Sequence, residues 1–297
     1  LIRYGENPTA GIFTTLDAHV QRICEAAGSR LEKGCIVVME VSSGDILGLA
    51  SFPGYTADTL EEAIQDPDSP MINRALYAYP VGSIFKLVTA ACAKDSELAD
   101  TFQWDCTGTI SVEGQLFHCH DDQGHGRQTM PLAMRNSCNP FFIQLSQQLS
   151  GAALRQTAKA LGFGQEIPLT TGQVASSGTL PTLQQLQLPA ERANFGFGQG
   201  ILTATPLQIT RMTCAIAGDG TLPEVRLVRG ITEDGRNVLR ESSARHSQGI
   251  SAETAAYLRS LMCYAAADSD FAGKPRHVPM GAKTSTAQTG RFSEDGE

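Results

Sequence analysis

The sequence of 297 residues is 41% hydrophobic and 18% charged, with a formal net charge of -8 and a pI near 5.3. This length and composition suit one large or two small globular domains with a substantial core. The acidic charge contains no run of five or six like charges, which argues against nucleic acid or an anionic membrane surface as a partner. No apolar run reaches the roughly 20 residues that span a bilayer. Because the sequence starts without a basic and apolar leader, we expect that a targeting segment has been removed or was never present.

The predicted elements place strands near both ends and helices in the middle. "TTLDAHVQRICEAAGSRL" predicts a helix capped by threonine, and "CIVVMEVSSGDILGLAS" predicts two strands joined at Ser-Gly-Asp. Residues 53–75 are rich in Pro, Asp and Ser and predict a loop. Further helices are predicted at 83–94, 130–149, 151–161 and 205–217. "RLVRGITEDGRNVL" then predicts a hairpin, "SAETAAYLRSLMCYAAAD" a helix and "HVPMGAKTSTAQTG" a strand.

This order predicts an α/β fold of the α+β type, in which an antiparallel sheet assembled from distant segments is flanked by helices. A mostly helical lobe is inserted into it. We assign residues 10–60 and 205–297 to the sheet-containing lobe and 61–204 to the helical lobe, within a single domain over 1–297. The cleft between such lobes is the favoured place for a site.

The stretch "YPVGSIFKLVTAACA", residues 79–93, places Ser83 three residues before Lys86. A serine hydroxyl needs a neighbouring base to become a nucleophile, and residues three apart share one face of a helix. Burial in an apolar helix would lower the pKa of Lys86 from about 10.4 to about 7 or 8, which would make its neutral form available as that base. The S-x-x-K pattern arises by chance about once in a chain this long, so a helix cap at Ser83 stays an alternative.

Two further stretches carry polar groups suited to the same chemistry. In "AMRNSCNPFFIQL", Pro140 favours a junction between two helices at Ser137-Cys138-Asn139, where a hydroxyl and an amide can point into a cleft. A simple Asn cap is the alternative. In "AKTSTAQTG" the predicted strand offers Lys283 and alternating hydroxyls to an extended substrate.

In this order the three stretches resemble the S-x-x-K, S-x-N and K-T-G motifs of penicillin-binding proteins and serine β-lactamases. With "INRALYAYPVGSIFKLVTAACA", "GHG" at 124–126, "FGFGQG" at 195–200 and "TPLQI" at 205–209, the sequence resembles the transpeptidase domain of a monofunctional, class B penicillin-binding protein. The resemblance covers roughly residues 10–290. It implies a peptidoglycan D,D-transpeptidase outside the cytoplasmic membrane that cross-links stem peptides and is acylated by β-lactams.

The resemblance also implies roles for individual residues. Ser83 would attack the penultimate D-alanine of a D-Ala-D-Ala stem peptide, and Lys86 would take its proton. A proton relay to the leaving amine would use Ser137 and Lys283, and Asn139 would hold the donor amide. The donor backbone and its carboxylate would lie against Thr284, Ser285 and Thr286. The oxyanion hole would use the backbone N–H groups of Ser83 and Thr286.

The sequence departs from this pattern in two places. Ser285 stands where the family usually has glycine, which implies altered β-lactam affinity. The family continues past the Lys-Thr strand with two more strands and a helix, whereas the sequence stops at Glu297. We therefore expect a C-terminally incomplete domain, with residues 277–297 misplaced or mobile and a fragment that is a poor enzyme.

The resemblance leaves two other functions open. A serine β-lactamase would need a group that activates water for deacylation, and no Glu stands in a recognisable place for this, although a class with a carbamylated lysine does without one. A penicillin-binding sensor or scaffold would be acylated once and do nothing more. The resemblance further implies an N-terminal membrane anchor outside this sequence and possible partners among division- or elongation-type proteins.

Cysteine and histidine usage predicts no metal and no cofactor. "HCHDDQGHG" gathers His118, Cys119, His120, Asp121, Asp122 and His125, but their spacing matches no closed metal motif. Most of the eight cysteines are predicted to be buried small hydrophobes. Only Cys106 and Cys119 flank a predicted hairpin, and a disulfide between them stays an open alternative.

Overall fold

The computed structural model describes residues 9–267 and 278–287. Its helices are α1 (Ala18–Gly28), α2 (Leu60–Gln65), α3 (Lys86–Asp95), α4 (Met130–Arg135), α5 (Asn139–Gln148), α6 (Gly151–Ala160), α7 (Pro189–Phe197), α8 (Pro206–Ala217) and α9 (Ala252–Ala267). Its strands are β1 (Gly11–Thr14), β2 (Gly34–Met39), β3 (Ile46–Phe52), β4 (Tyr79–Pro80), β5 (Trp104–Cys106), β6 (Thr109–Val112), β7 (Gln115–His118), β8 (Gly126–Gln128), β9 (Ile167–Thr170), β10 (Gln173–Ala175), β11 (Thr203–Ala204), β12 (Leu222–Pro223), β13 (Val228–Thr232), β14 (Arg240–Glu241) and β15 (His246–Ser247).

Strands from the two ends of the sequence meet, as predicted. β1 pairs antiparallel with β13, which pairs with β14 across the turn at Gly235, a residue with φ of +70°. The β2–β3 hairpin joins this group where the Ile46 N–H donates to the Arg226 carbonyl at 2.9 Å. The antiparallel α+β organisation is therefore confirmed.

The start of α1 differs from the prediction. Its cap is Asp17, whose carboxylate accepts the N–H groups of His19 and Val20, and not a threonine. Thr14 belongs to β1 instead, and the Thr15 hydroxyl donates to the Ile46 carbonyl. Both threonines thus contribute to contacts between strands and not to a helix cap.

The helix α3 lies at the centre of the largest hydrophobic core. Its first eight residues are all buried, and it packs against α5, α6, α7 and α9. The core continues through residues of α8 and α9, beyond the predicted boundary at 204/205. The division into two lobes stays a prediction.

Three further elements differ from the predicted ones. The span predicted as helix over 130–149 is divided into α4 and α5 at residues 136–138, where Pro140 also predicted a junction, and the predicted loop 53–75 contains α2. Residues 278–287, the described part of the predicted C-terminal strand, pair with no strand among the described residues and so form no β-ladder. The rest of the predicted 277–297 segment lies outside the described residues. None of the helices in the described ranges has the length and apolar character required to cross a membrane.

Candidate active site

The candidate nucleophile lies on a 3-10 turn, Gly82–Phe85, that leads directly into α3. Gly82 has φ of +68°, and its N–H donates to the Gly198 carbonyl at 2.8 Å. A Cβ on Gly82 would lie 2.6 Å from Ser285 Oγ and 2.7 Å from the Thr286 carbonyl oxygen. Glycine is therefore required at this position both by its conformation and by the close approach of the 283–286 segment.

Lys86 is fully buried at the start of α3, directly below Ser83. Its Nζ lies 3.0 Å from Ser83 Oγ and 3.1 Å from Ser137 Oγ. Burial, and next the nearby charge of Lys283, lower the pKa of Lys86 from 10.5 to about 7. A substantial neutral fraction at neutral pH follows.

The hydrogen-bond partners of Lys86 fix how its neutral form is oriented. Nζ donates to the Ser137 carbonyl at 2.6 Å and to Asn139 Oδ1 at 2.7 Å, and both of these oxygens can only accept. A neutral amine has two N–H groups and one lone pair, so these two acceptors take both protons. The lone pair is then left for a hydroxyl proton, and Ser83 is one of the two hydroxyls within reach.

Ser137 occupies a left-handed backbone conformation, with φ of +48°. It follows α4, and its N–H donates to the Met134 carbonyl while the Cys138 N–H donates to the Ala133 carbonyl. These two bonds form the Schellman motif that ends many helices, usually with glycine in the left-handed position. A serine in this conformation destabilises the fold by about 1–2 kcal/mol relative to glycine. The chain therefore carries the Ser137 hydroxyl at a position where glycine would suit the backbone better.

Asn139 begins α5, and its amide bridges the nucleophile region to the β6–β7 hairpin. Nδ2 donates to the His118 carbonyl at 3.1 Å, which fixes the amide orientation and leaves Oδ1 facing Lys86. The predicted junction between two helices thus places both polar side chains of the S-x-N stretch at the buried amine.

Lys283 reaches the same point from the other side. Its Nζ donates to Ser137 Oγ at 3.0 Å and to the Thr284 carbonyl at 2.7 Å. Burial lowers its pKa to about 8. The hydroxyl of Ser137 therefore lies between two amines, each with a lowered pKa.

Ser285 turns its hydroxyl onto the 3-10 turn and not toward a ligand. Its Oγ donates to the Val81 carbonyl at 2.7 Å and accepts the Ile84 N–H at 3.1 Å. The neighbouring Thr284 and Thr286 line the cleft instead. The hydroxyl of Ser285, which stands where the resembled family usually has glycine, thus holds residues 283–286 against the turn that carries Ser83.

A cleft of about 510 Å³ opens over these groups and includes Ser83, Ser137 and Asn139 in its lining. Its other residues include Gln115–His118 of the β7 strand together with Asn194, Phe197 and Gln199, which were not predicted as site residues. The Gly-rich stretch at 195–200, noted in the sequence for its resemblance to the family, is the nearest signal to them, and its Gly198 has φ of +91°. Within the described part of the chain, no carboxylate side chain lines this cleft.

A second group of side chains lies directly behind the S-x-N stretch. Its members, which we call the thiol–imidazole cluster, are Cys106, Cys119, His125 and Cys138. Their ligand atoms all lie within 4.8 Å of one another. The sequence did not predict this group, because it comes from three separate segments and only two of its members belong to "HCHDDQGHG". The thiols considered for a disulfide, Cys106 and Cys119, are free.

Comparisons with known proteins agree with the resemblance noted in the sequence. Residues 34–297 match the model of the penicillin-binding protein transpeptidase domain. The chain is 31% identical over 290 residues to Stage V sporulation protein D of Bacillus subtilis and 29% identical over 318 residues to peptidoglycan D,D-transpeptidase PbpA of Mycolicibacterium smegmatis. These alignments cover 92% and 96% of this chain, which spans 44% and 62% of the two relatives.

A solved structure gives the same result. The ceftriaxone acyl-enzyme complex of penicillin-binding protein A from Mycobacterium tuberculosis is similar with a TM-score of 0.88 and 25% identity, over 97% of this chain and 68% of that chain. The fold expected from the sequence is thereby confirmed. The chain belongs to the family of penicillin-binding protein transpeptidase domains.

Proposed function

We propose that this chain is the catalytic domain of a peptidoglycan D,D-transpeptidase, with Ser83 as its nucleophile. The observation that carries the proposal is the buried amine of Lys86, within 3.1 Å of the hydroxyls of both Ser83 and Ser137. Such an arrangement supplies an activated serine and a path for its proton. The family of the chain, and a relative named as a D,D-transpeptidase, support the same activity.

In the acylation step the Ser83 oxygen attacks the carbonyl carbon of the penultimate D-alanine, and its proton passes to Lys86 Nζ. The C–N bond to the terminal D-alanine then breaks. The leaving amine receives the proton through the Ser137 hydroxyl, which Lys283 holds in place at 3.0 Å. The backbone N–H groups of Ser83 and Thr286 are proposed to stabilise the oxyanion, and removal of one such donor typically costs about 3–4 kcal/mol.

In the second step an amine of a neighbouring stem peptide attacks the ester carbonyl, and the Ser83 oxygen takes back a proton as the cross-link forms. Asn139 is proposed to hold the donor amide. Thr284 and Thr286 are proposed to bind the donor backbone and carboxylate from the cleft wall, together with backbone groups of Ser285. A β-lactam would open on Ser83 by the same attack and leave a stable ester.

The setting and partners of the chain belong to the same proposal. We place it on the extracytoplasmic face of a bacterial membrane, held there by an anchor outside this sequence, with a sheet-containing and a helical lobe on either side of the cleft. Peptidoglycan stem peptides are its substrates, β-lactams its covalent inhibitors, and other cell-wall synthesis proteins of the division or elongation type its partners. The chemistry requires no cofactor.

A β-lactamase is the second candidate, and the cleft lining disfavours it. Hydrolysis of the acyl-enzyme requires a base for water, and the described residues place no carboxylate in the cleft wall, which argues against the classes that use Glu. The class with a carbamylated lysine is separated by the penicillin test below. A sensor that is acylated once differs from a transpeptidase only in its second step.

Labelled penicillin and a peptide substrate separate the three functions. A transpeptidase or a sensor keeps the label on Ser83 after excess penicillin is removed, whereas a β-lactamase releases it rapidly. Incubation with a D-Ala-D-Ala peptide and an acceptor amine then yields released D-alanine and a cross-linked product only for a transpeptidase. If the Ser83→Ala variant is still labelled, the nucleophile has been assigned wrongly.

A further inference from the structure

The strand β7 has a backbone edge that faces the cleft. Among the described strands β7 pairs only with β6, and the Cys119 N–H donates to the Gly108 carbonyl at 2.8 Å in continuation of this pairing. Because backbone groups alternate in direction along a strand, those of Leu116 and His118 point away from β6. The His118 carbonyl agrees with this alternation, since it accepts the Asn139 amide and takes no part in the β6–β7 ladder.

Two backbone groups of this edge are available next to Asn139. Within the described part of the chain, neither the His118 N–H nor the Leu116 carbonyl has a hydrogen-bond partner. Both residues line the cleft, and the Leu116 side chain is 56% exposed there. A free strand edge beside an exposed apolar side chain is suited to bind an extended peptide as an added strand.

The direction of a donor peptide in the cleft follows from the proposed function. Its C-terminal carboxylate lies at Thr284 and Thr286 and its scissile carbonyl at Ser83, so the rest of the donor leaves the reacting centre past Asn139. The amide of Asn139 is bonded to His118, the last residue of β7. An extended donor therefore continues along β7 towards the start of that strand, and the two chains run parallel.

This direction specifies the contacts of the donor residue immediately before D-Ala-D-Ala, which we call the preceding residue. In an extended chain the N–H and the carbonyl of one residue point to the same side. The carbonyl of the preceding residue lies at Asn139, so its N–H also points to β7. In a parallel ladder one residue bonds to two residues of its neighbour that stand two positions apart, and here these are Leu116 and His118.

The same register directs the side chain of the preceding residue. It lies opposite Phe117, whose ring packs edge-on against Phe197 with 6.1 Å between the centroids. Asn194, one turn earlier on α7, and Gln199 also line the cleft. A side chain with an apolar stem and a hydrogen-bonding end fits this combination of an aromatic ring and two amides.

We propose that β7 is a recognition strand for the donor peptide, in which the Leu116 carbonyl accepts the N–H of the preceding residue and the His118 N–H donates to the carbonyl of that residue. This inference rests on the proposed function and deepens it. The substrate class is a peptide that extends upstream of D-Ala-D-Ala and keeps an amide N–H on the preceding residue.

Peptide analogues test the Leu116 contact. Release of D-alanine is measured from an N-acetylated peptide that ends in D-Ala-D-Ala and from its analogue with an ester oxygen in place of the N–H of the preceding residue. The ester keeps the shape of the peptide but cannot donate, so kcat/KM is expected to fall about tenfold. Equal values of kcat/KM would overturn the contact.

A pair of proline variants tests the edge of the strand. His118→Pro removes an N–H that points away from β6, a change that edge strands tolerate. Measured against His118→Ala, which keeps the N–H, His118→Pro should lower kcat/KM for the peptide about tenfold. Thr109→Pro is the matched control, because Thr109 lies directly opposite on β6 and loses an N–H on the other edge of the same hairpin. It should keep the wild-type kcat/KM.

The penicillin nucleus without an acyl side chain separates the possible failures. It carries the reactive ring and neither group that β7 would bind, so His118→Pro should be acylated by it at the rate of His118→Ala. If these rates agree and the two variants also process the peptide equally, the β7 site is wrong while the proposed function stands. If His118→Pro is slow with the nucleus as well, that variant is misfolded and the comparison of peptide and ester in the wild type decides.

A failure of the proposed function has a different signature. In that case no form of the chain is acylated and neither peptide releases D-alanine. Calorimetric binding of the same two peptides to Ser83→Ala then tests the site by itself. About tenfold weaker binding of the ester supports the β7 site, and equal binding overturns it.

Discussion

The rate at which penicillin acylates Ser83 is expected to rise with pH through the titration of Lys86 and then to level off. Attack requires the neutral amine, because only its lone pair can accept the serine proton. With a pKa of about 7, Lys86 is about one-tenth neutral at pH 6 and about nine-tenths neutral at pH 8. The acylation rate constant should therefore increase about tenfold over this interval and stay nearly constant above it.

A lysine with its ordinary pKa of 10.5 would behave differently, with about a hundredfold rise over the same interval and no plateau. The difference of about 3.5 units corresponds to about 5 kcal/mol of destabilisation of the buried cation. Stopped-flow acylation with a fluorescent penicillin between pH 5.5 and 9.5 measures the profile. Lys94→Met is the matched control, since this lysine lies two turns further along the same helix and its loss should leave the profile unchanged.

The same pKa has a consequence for stability. Between pH 7 and 10.5 the unfolded chain keeps the Lys86 proton and the folded chain releases it, so the unfolding free energy of the wild type gains about 1.4 kcal/mol per pH unit from this group. Lys86→Met lacks this gain, and its stability relative to wild type should fall by about 2.3 kcal/mol from pH 7 to 9, as measured by urea unfolding. A relative stability that does not change with pH, or an acylation rate that still rises tenfold per unit at pH 9, would refute the role of Lys86 as a buried base.

Three other predictions concern the groups around this amine. The unfolding free energy of Ser137→Gly should exceed that of Ser137→Ala by about 1 kcal/mol, because only glycine adopts the left-handed conformation without strain. Both variants should lose at least about a hundredfold in acylation rate. Equal stability of the two variants in urea unfolding would contradict the backbone argument. Lys283→Gln should move the midpoint of the acylation pH profile upward, since its charge lowers the pKa of Lys86, and an unchanged midpoint would show that the two amines do not interact. Ser285→Ala removes two hydrogen bonds to the turn that carries Ser83 and should slow acylation up to about tenfold, whereas Ser285→Thr should not slow it. Equal acylation rates for the two variants would show that the Ser285 hydroxyl does not stabilise the position of this turn.

Local features of the site were predictable from the sequence. The contact of Ser83 with Lys86 depends only on three-residue spacing on one helix, and the lowered pKa of Lys86 depends on the apolar residues that follow it. Pro140 marked the helix junction that exposes Ser137 and Asn139. In each case the signal lies within a few residues of the group that it concerns.

Several features that depend on contacts between distant segments were not predicted from the sequence. The thiol–imidazole cluster forms only when three segments meet, and no spacing rule for a closed metal motif covers such a set. The orientation of the Ser285 hydroxyl follows from the position of the turn that it contacts, 204 residues away in sequence at Val81. The 278–287 segment has the alternating polar pattern of a strand, but a strand also requires a partner with free backbone groups.

The contacts of the 283–286 segment also bear on when the chain becomes reactive during its biogenesis. Lys283 contacts Ser137 across 146 residues of sequence, and Ser285 contacts Ile84 across 201. A chain that emerges from a ribosome or a translocation channel N-terminus first presents Ser83 long before these partners arrive. On the proposed function we therefore expect an antibiotic to acylate an immature chain more slowly than a completed one, so that the yield of labelled serine would report on completed folding.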